Sequence, residues 1–200
     1  MKPTVFIIDD DEAMRDSLGL LMRSVGINYE TYSNAQSFLE NYEESRSGCL
    51  LLDIRMPGMS GLDLQQKLQE MDAELPILFI TGHGDVPMAV EAMKKGAVDF
   101  FQKPFRDQAL LDRISQVMTQ LNDNQKKQAE RQQIRSRLER LTTRENEILN
   151  LVVQGVGNKV IAADLGISQR TVELHRAHVM QKMQADSLAQ LVQMVMLTEQ

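Results

Sequence analysis

Leu50-Leu51-Leu52-Asp53-Ile54-Arg55-Met56-Pro57-Gly58 is the stretch whose reading decides the fold. Three successive leucines suit a strand buried on both faces, as in the middle of a parallel sheet. Asp53 then stands at the carboxyl end of that strand, where open α/β sheets bind their ligands. Pro57 and Gly58 punctuate the loop beyond it. A lone Asp in such a place most simply caps its loop, so the meaning of Asp53 depends on the rest of the chain.

Working outward, the same strand-then-helix unit recurs. Thr4–Ile8 reads as a buried strand ending in Asp9-Asp10-Asp11. A helix follows with Met14, Leu18, Leu21, Met22 and Val25 on one face, closed by Gly26. Tyr29–Tyr32 makes a short strand, and Asn34 can cap a helix that buries Phe38 and Leu39. Beyond Asp53, a helix from Ser60 carries Leu62, Leu64 and Leu68. Pro76 opens a strand, Ile77–Ile80, that ends at Thr81. Gly82-His83-Gly84-Asp85 reads as a loop, and Pro87 starts a helix that stops at Gly96. Val98–Phe101 is the last strand and runs into Lys103-Pro104. A helix from about Asp107 then buries Leu110, Leu111, Ile114, Val117 and Leu121. Five such units predict a doubly wound α/β domain, a five-stranded parallel sheet covered by helices on both faces.

The strand ends carry Asp9, Asp10, Asp53, Thr81 and Lys103, all opening onto one rim of the sheet. Three carboxylates suit one hard divalent cation such as Mg²⁺. A hydroxyl and an ammonium suit the oxygens of a phosphoryl group. His83 has no His or Cys cluster around it and reads as a loop or hydrogen-bonding residue. Cys49 reads as a small core residue, and the 13 Met residues as packing.

The 200 residues allow two small domains. No apolar run approaches the roughly 18 residues of a membrane span. Met1-Lys2-Pro3-Thr4 carries no signal-peptide pattern, and the single cysteine cannot form an internal disulfide. The expectation is a soluble cytoplasmic protein with no membrane partner. Residues 1–121 hold 11 Lys and Arg against 19 Asp and Glu, whereas residues 122–200 hold 11 against 9. That contrast suggests different partners for the two parts.

Between Asn122 and Gln133 the apolar pattern lapses without a Pro or Gly, which suits a solvated extension of the preceding helix. Ile134, Leu138 and Leu141 restore a 4,3 spacing, either a packed seam or a dimer contact. Thr142-Thr143-Arg144-Glu145 has capping-box spacing before a helix burying Ile148, Leu149, Val152 and Val153. Asn158 is expected to cap a short helix with Ile161, Ala162 and Leu165 inward. Gly166 makes a turn and Ser168 caps a third helix, Gln169–Met183, giving a helix-turn-helix. On that helix Val172, Val179 and Met183 form the core face, with Arg170, Glu173, Leu174, Ala177 and Gln181 opposite. Thr171, His175, Arg176, His178 and Lys182 lie on its flanks. Ser187 caps a final helix striped by Leu188, Leu191, Val192, Val195 and Met196.

Residues 4–121 resemble the receiver domain of bacterial two-component response regulators. Asp9-Asp10, Asp53, Thr81, Lys103 and Met56-Pro57-Gly58-Met59-Ser60-Gly61 carry the resemblance. It implies a flavodoxin-like sheet of order 2-1-3-4-5 and phosphoryl transfer from a sensor histidine kinase to Asp53. It implies Mg²⁺ held by Asp9, Asp10, Asp53 and the backbone carbonyl of Arg55, with Thr81 and Lys103 at the phosphoryl group. Thr81 and Phe100 are the implied switch pair, and Lys103-Pro104 an implied cis bond. The domain would catalyse only its own phosphorylation and dephosphorylation.

Residues 141–196 resemble the LuxR-type helix-turn-helix of FixJ-type regulators. Leu141–Glu145, Asn158–Ala162 and Thr171–His175 carry that match. Contacts to double-stranded DNA are expected from Asn158, Lys159, Arg170, Thr171, Glu173, Leu174, His175, Arg176, Ala177 and Lys182. Glu173 repels phosphates but can accept from a cytosine amino group. The chain then divides into a receiver, 1–121, a helical linker, 122–140, and an all-α four-helix DNA-binding domain, 141–200. Together the parts imply a transcription regulator that forms a homodimer on phosphorylation and meets RNA polymerase. Two other readings compete. Asp9-x-Asp11 suggests a haloacid-dehalogenase-type phosphohydrolase, although Glu12-Ala13 follow where Gly-Thr is usual. The other is a DNA-binding protein indifferent to phosphorylation.

Overall fold

The computed structural model describes residues 3–43, 46–82 and 86–198. The chain forms two compact units, Met1–Asn124 and Gln125–Gln200. His83 and the loop expected around it lie outside the described residues.

In the first unit the elements are β1 (Thr4–Ile8), α1 (Glu12–Ser24), β2 (Tyr29–Tyr32), α2 (Ala35–Asn41) and β3 (Gly48–Asp53). α3 (Gly61–Glu70), β4 (Ile77–Thr81), α4 (Val86–Lys94), β5 (Asp99–Gln102) and α5 (Asp107–Leu138) follow. The five strands are all parallel, in the order β2-β1-β3-β4-β5. Every residue of β3 is buried, as the leucine run requires. Alternate residues feed two cores, one on each face: Leu50 and Leu52 pack with Phe6, Phe38 and Phe79, and Leu51 with Leu18, Leu110 and Ile114. Each fully buried leucine contributes roughly 1.5–3 kcal/mol against leaving it exposed.

Register brings the strand ends level. Ile8 pairs Leu52, Asp53 pairs Ile80, and Thr81 pairs Gln102. β5 begins at Asp99, one residue later than the apolar run suggested, because the ladder with β4 opens at Leu78 and Asp99. Val25 was expected on the buried face of α1. It stands beyond the last turn, at the C-cap, and is 49% exposed, since the chain turns away at Gly26.

α5 runs unbroken to Leu138, so the polar stretch after Leu121 is helical. Ile134 is buried and, with Leu138 and Leu141, joins the core of the second unit. The seam is therefore packed within the chain. The second unit continues with α6 (Thr143–Val153), α7 (Asn158–Leu165), α8 (Gln169–Met183) and α9 (Leu188–Thr198). Gly166, at φ +64, makes the left-handed turn between α7 and α8. Asn158 does not cap α7, contrary to expectation: Gly157 is the N-cap, without a side-chain bond, and Asn158 is the first helical residue. Of the α9 stripe, Leu191 and Val195 are buried, while Leu188 and Met196 stay exposed. Among the described residues, no helix is long and apolar enough to cross a membrane.

Candidate functional site

The level strand ends make one acidic rim. Asp9 follows β1 and is buried; Asp53 closes β3 and is 7% exposed; Asp10 faces solvent. Lys103, just beyond β5, donates from Nζ to Asp9 Oδ2 at 2.9 Å and to Asp53 Oδ1 at 2.8 Å. The remaining oxygens meet backbone amides: Asp11 N–H donates to Asp9 Oδ1, and Arg55 N–H donates to Asp53 Oδ2. Lys103 is itself anchored, its N–H donating to the Thr81 carbonyl at 2.7 Å. The Lys103-Pro104 bond is cis.

Asp11 plays a different part from its two neighbours. Its carboxylate accepts from Ala13 N–H and Met14 N–H as the N-cap of α1, so it serves the helix rather than the rim. The loop after Asp53 is held just as closely. Ser60 and Asp63 form a capping box at the start of α3. Gly61 there lies so near the Asp53 backbone that a Cβ would come 2.4 Å from the Asp53 carbonyl oxygen.

Electrostatics follow from this crowding. Burial pushes the Asp53 carboxyl above its ordinary value, against the bond and charge of Lys103, with the Asp9 charge adding to the rise. For Lys103, burial opposes the charge, yet the two carboxylates outweigh it and raise its pKa. Two buried carboxylates share one ammonium, and exposed Asp10 adds a further negative charge. That donor set is all oxygen and carries an uncompensated charge at a solvent-facing edge, which fits a hard divalent cation.

Thr81 is buried on the neighbouring strand end, and its hydroxyl donates to the Gly82 carbonyl at 3.0 Å. Phe100 is half-buried and packs on the core under α3 and α4. Asp9, Asp53 and Lys103 are thus in mutual contact, with Thr81 and Phe100 on adjoining strands. The arrangement places two buried carboxylates against one fixed positive charge.

On α8 the side away from the core shows Arg170, Glu173, Leu174 and Ala177 to solvent, and Lys159 is exposed on α7. Gln169 Nε2 donates to Glu173 Oε1 at 3.3 Å, and Thr171 Oγ lies 2.8 Å from Ser168 Oγ. His175 is half-buried. Two basic flanks are engaged within the chain. Arg176 donates to Asn158 Oδ1 at 2.6 Å. Lys182, expected among the DNA contacts on the helix flank, donates to Glu145 Oε2 at 2.6 Å and to the Arg140 carbonyl at 3.3 Å.

Glu145 is the residue that sequence reasoning undervalued. Its capping role was legible, but it is also buried, and a lysine 37 residues later neutralises it. The Lys182 bond, followed by the Thr142 amide, holds its carboxyl down at about 2. No sequence pattern within α6 points to α8; only the packing of the two helices does.

Residues 5–115 match the family described as response regulator receiver domain, and residues 139–195 the bacterial regulatory proteins of the luxR family. The chain is 46% identical to Nodulation protein W of Bradyrhizobium diazoefficiens, over 96% of this chain and 85% of that protein. It is 44% identical to the transcriptional regulatory protein FixJ of the same organism, over 98% and 95%. The solved structure of the response regulator StyR superposes with a TM-score of 0.87 at 46% identity, covering 98% of this chain and 99% of that one.

Proposed function

The chain belongs to the response regulators of two-component systems, a receiver domain followed by a LuxR-type DNA-binding domain, and from that premise we propose that Asp53 is its phosphoacceptor. The observation that carries the proposal is Lys103 bonded at once to Asp9 and Asp53 on a level rim of strand ends. A carboxylate beside an ammonium can attack the phosphorus of a kinase phosphohistidine. A P–O bond forms to Asp53, the P–N bond breaks, and the electron pair returns to the imidazole. Such a reaction depends on positioning and charge more than on acid–base help. Asp9, Asp10, Asp53 and the Arg55 carbonyl are the groups that would hold Mg²⁺, whose charge would offset that of the phosphoryl oxygens.

Lys103 then pairs with the new phosphoryl group. The Thr81 hydroxyl swings from the Gly82 carbonyl to a phosphoryl oxygen, and the half-buried Phe100 ring follows it inward. That changes the surface of α4 and β5 and favours a homodimer suited to a two-fold DNA site. Lys159, Arg170, Thr171, Glu173, Leu174, His175 and Ala177 are the proposed DNA contacts. Asn158, Arg176 and Lys182 act there mainly by holding α8 in place. The receiver catalyses only its own phosphorylation and dephosphorylation, and the dimer works in the cytoplasm with promoter DNA and RNA polymerase.

Incubating the protein with Mg²⁺ and a small phosphodonor tests the assignment. The wild type should take up one acid-labile phosphate and bind promoter DNA more tightly, and Asp53→Asn should do neither. Equal phosphate incorporation by the Asp53→Asn protein would overturn it.

A further inference from the structure

Among the described residues, a cluster of metal-ligating groups also stands away from the receiver rim. Glu145, His175 and His178 each offer one ligand atom, and the three atoms lie within 4.8 Å of one another. His175 and His178 are three apart on α8 and so share a flank of the helix. Their rings stand edge to face, 6.5 Å between centroids. Glu145 reaches them from α6, with Oε1 3.9 Å from His178 Nδ1. The two Glu145 oxygens are used differently: Oε2 takes the bonds from Lys182 and Thr142, whereas Oε1 points toward the histidines. His175 Nδ1 is buried and has no hydrogen-bond partner. A buried ring nitrogen in that condition normally finds a partner.

We propose that Glu145, His175 and His178 form a Zn²⁺ site that clips α8 to α6. Two imidazoles and one carboxylate are a ligand set that zinc takes with a fourth position left to water. Ligand atoms on one tetrahedral zinc lie about 3.3 Å apart, so the cluster must contract by up to about 1.5 Å. His178 is exposed and can rotate to supply that movement. Imidazole nitrogen also separates this site from the receiver rim, whose oxygen ligands favour Mg²⁺. Two cations stand near. Lys182 sits on the opposite carboxylate oxygen and opposes the metal charge, and Arg176 is bonded to Asn158. Their effect is to weaken the site, not to occupy its ligands.

Zinc titration into the full-length protein, with Mg²⁺ in excess to fill the receiver rim, tests this. His178→Gln is the diagnostic variant, because the residue is at the surface and no part of the α6 cap. The wild type should bind one Zn²⁺ and melt at a higher temperature with zinc than without. The variant should bind at least about tenfold more weakly, since even an outer-shell change costs roughly that much. Lys182→Gln should bind more tightly than the wild type. Equal zinc affinity in the wild type and His178→Gln, or no zinc bound by the wild type in excess Mg²⁺, would overturn the site.

Discussion

Two lysines carry corresponding tasks in the two units of this protein. Lys103 reaches Asp9 and Asp53, and Lys182 reaches Glu145; each neutralises carboxylate that the fold has taken out of water. The consequences differ because the surroundings do. At the rim, burial dominates and the Asp53 carboxyl is pushed above its ordinary value. At the α6 cap, the Lys182 bond dominates and Glu145 is held at about 2 against an ordinary 4.5. A carboxyl depressed in the folded state contributes stability that is complete above pH 4.5 and is lost as pH falls toward 2. The shift corresponds to at most about 3 kcal/mol, and to less after solvent screening, because the Lys182 side chain is 36% exposed. Glu145→Gln should therefore unfold at lower urea than the wild type near neutral pH. The gap should shrink as pH falls from about 4.5 to about 2, and a gap independent of pH would count against the ion pair.

At the scale of elements, the positions of helix starts matter more than their lengths. Asp11, Ser60, Thr142 and Ser168 each cap a helix with a side-chain oxygen, and three of these four starts were readable from local spacing. Asp11 was not read as a cap, because three consecutive carboxylates look alike in a sequence. What separates them is the path of the chain as it leaves β1: Asp9 turns inward, Asp10 outward, and Asp11 along the axis of α1. α3 begins so close to Asp53 that only glycine fits at residue 61. Gly61→Ala must move the start of α3 away from the Asp53 carbonyl, at a cost of about 1–3 kcal/mol. It should also slow phosphate uptake, through the displaced Asp53-to-Arg55 loop. Urea unfolding and the rate of phosphorylation by a small donor measure the two effects. A variant with wild-type stability would show that the contact relaxes freely.

For the whole molecule, charge is divided between the units. Residues 1–121 are strongly acidic, whereas residues 122–200 hold 11 Lys and Arg against 9 Asp and Glu. Four of those cations are engaged internally, Arg137 with the Met183 carbonyl, Arg144 with the Leu165 carbonyl, and Arg176 and Lys182 as described. On the proposed reading, DNA affinity rests on exposed cations such as Lys159 and Arg170. Affinity of the phosphorylated protein for its promoter should fall with salt, and Lys159→Ala should reduce the slope of log affinity against log salt by about one. An unchanged slope would remove Lys159 from the phosphate contacts.

The sequence by itself determined the α/β unit, the parallel sheet and its buried β3, the helix-turn-helix and the set of residues at the strand ends. These follow from short-range causes: apolar periodicity, caps, and the residue types that close each strand. Only the tertiary structure decided which of those residues touch. It set Lys103 between Asp9 and Asp53, bonded Lys182, an expected DNA contact, to Glu145, and drew Ile134 into the second core. It also brought Glu145 beside His175 and His178, which lie two helices further along the chain. Such pairings depend on how strands align and helices pack, and packing is set by the summed burial of many side chains rather than by any local pattern.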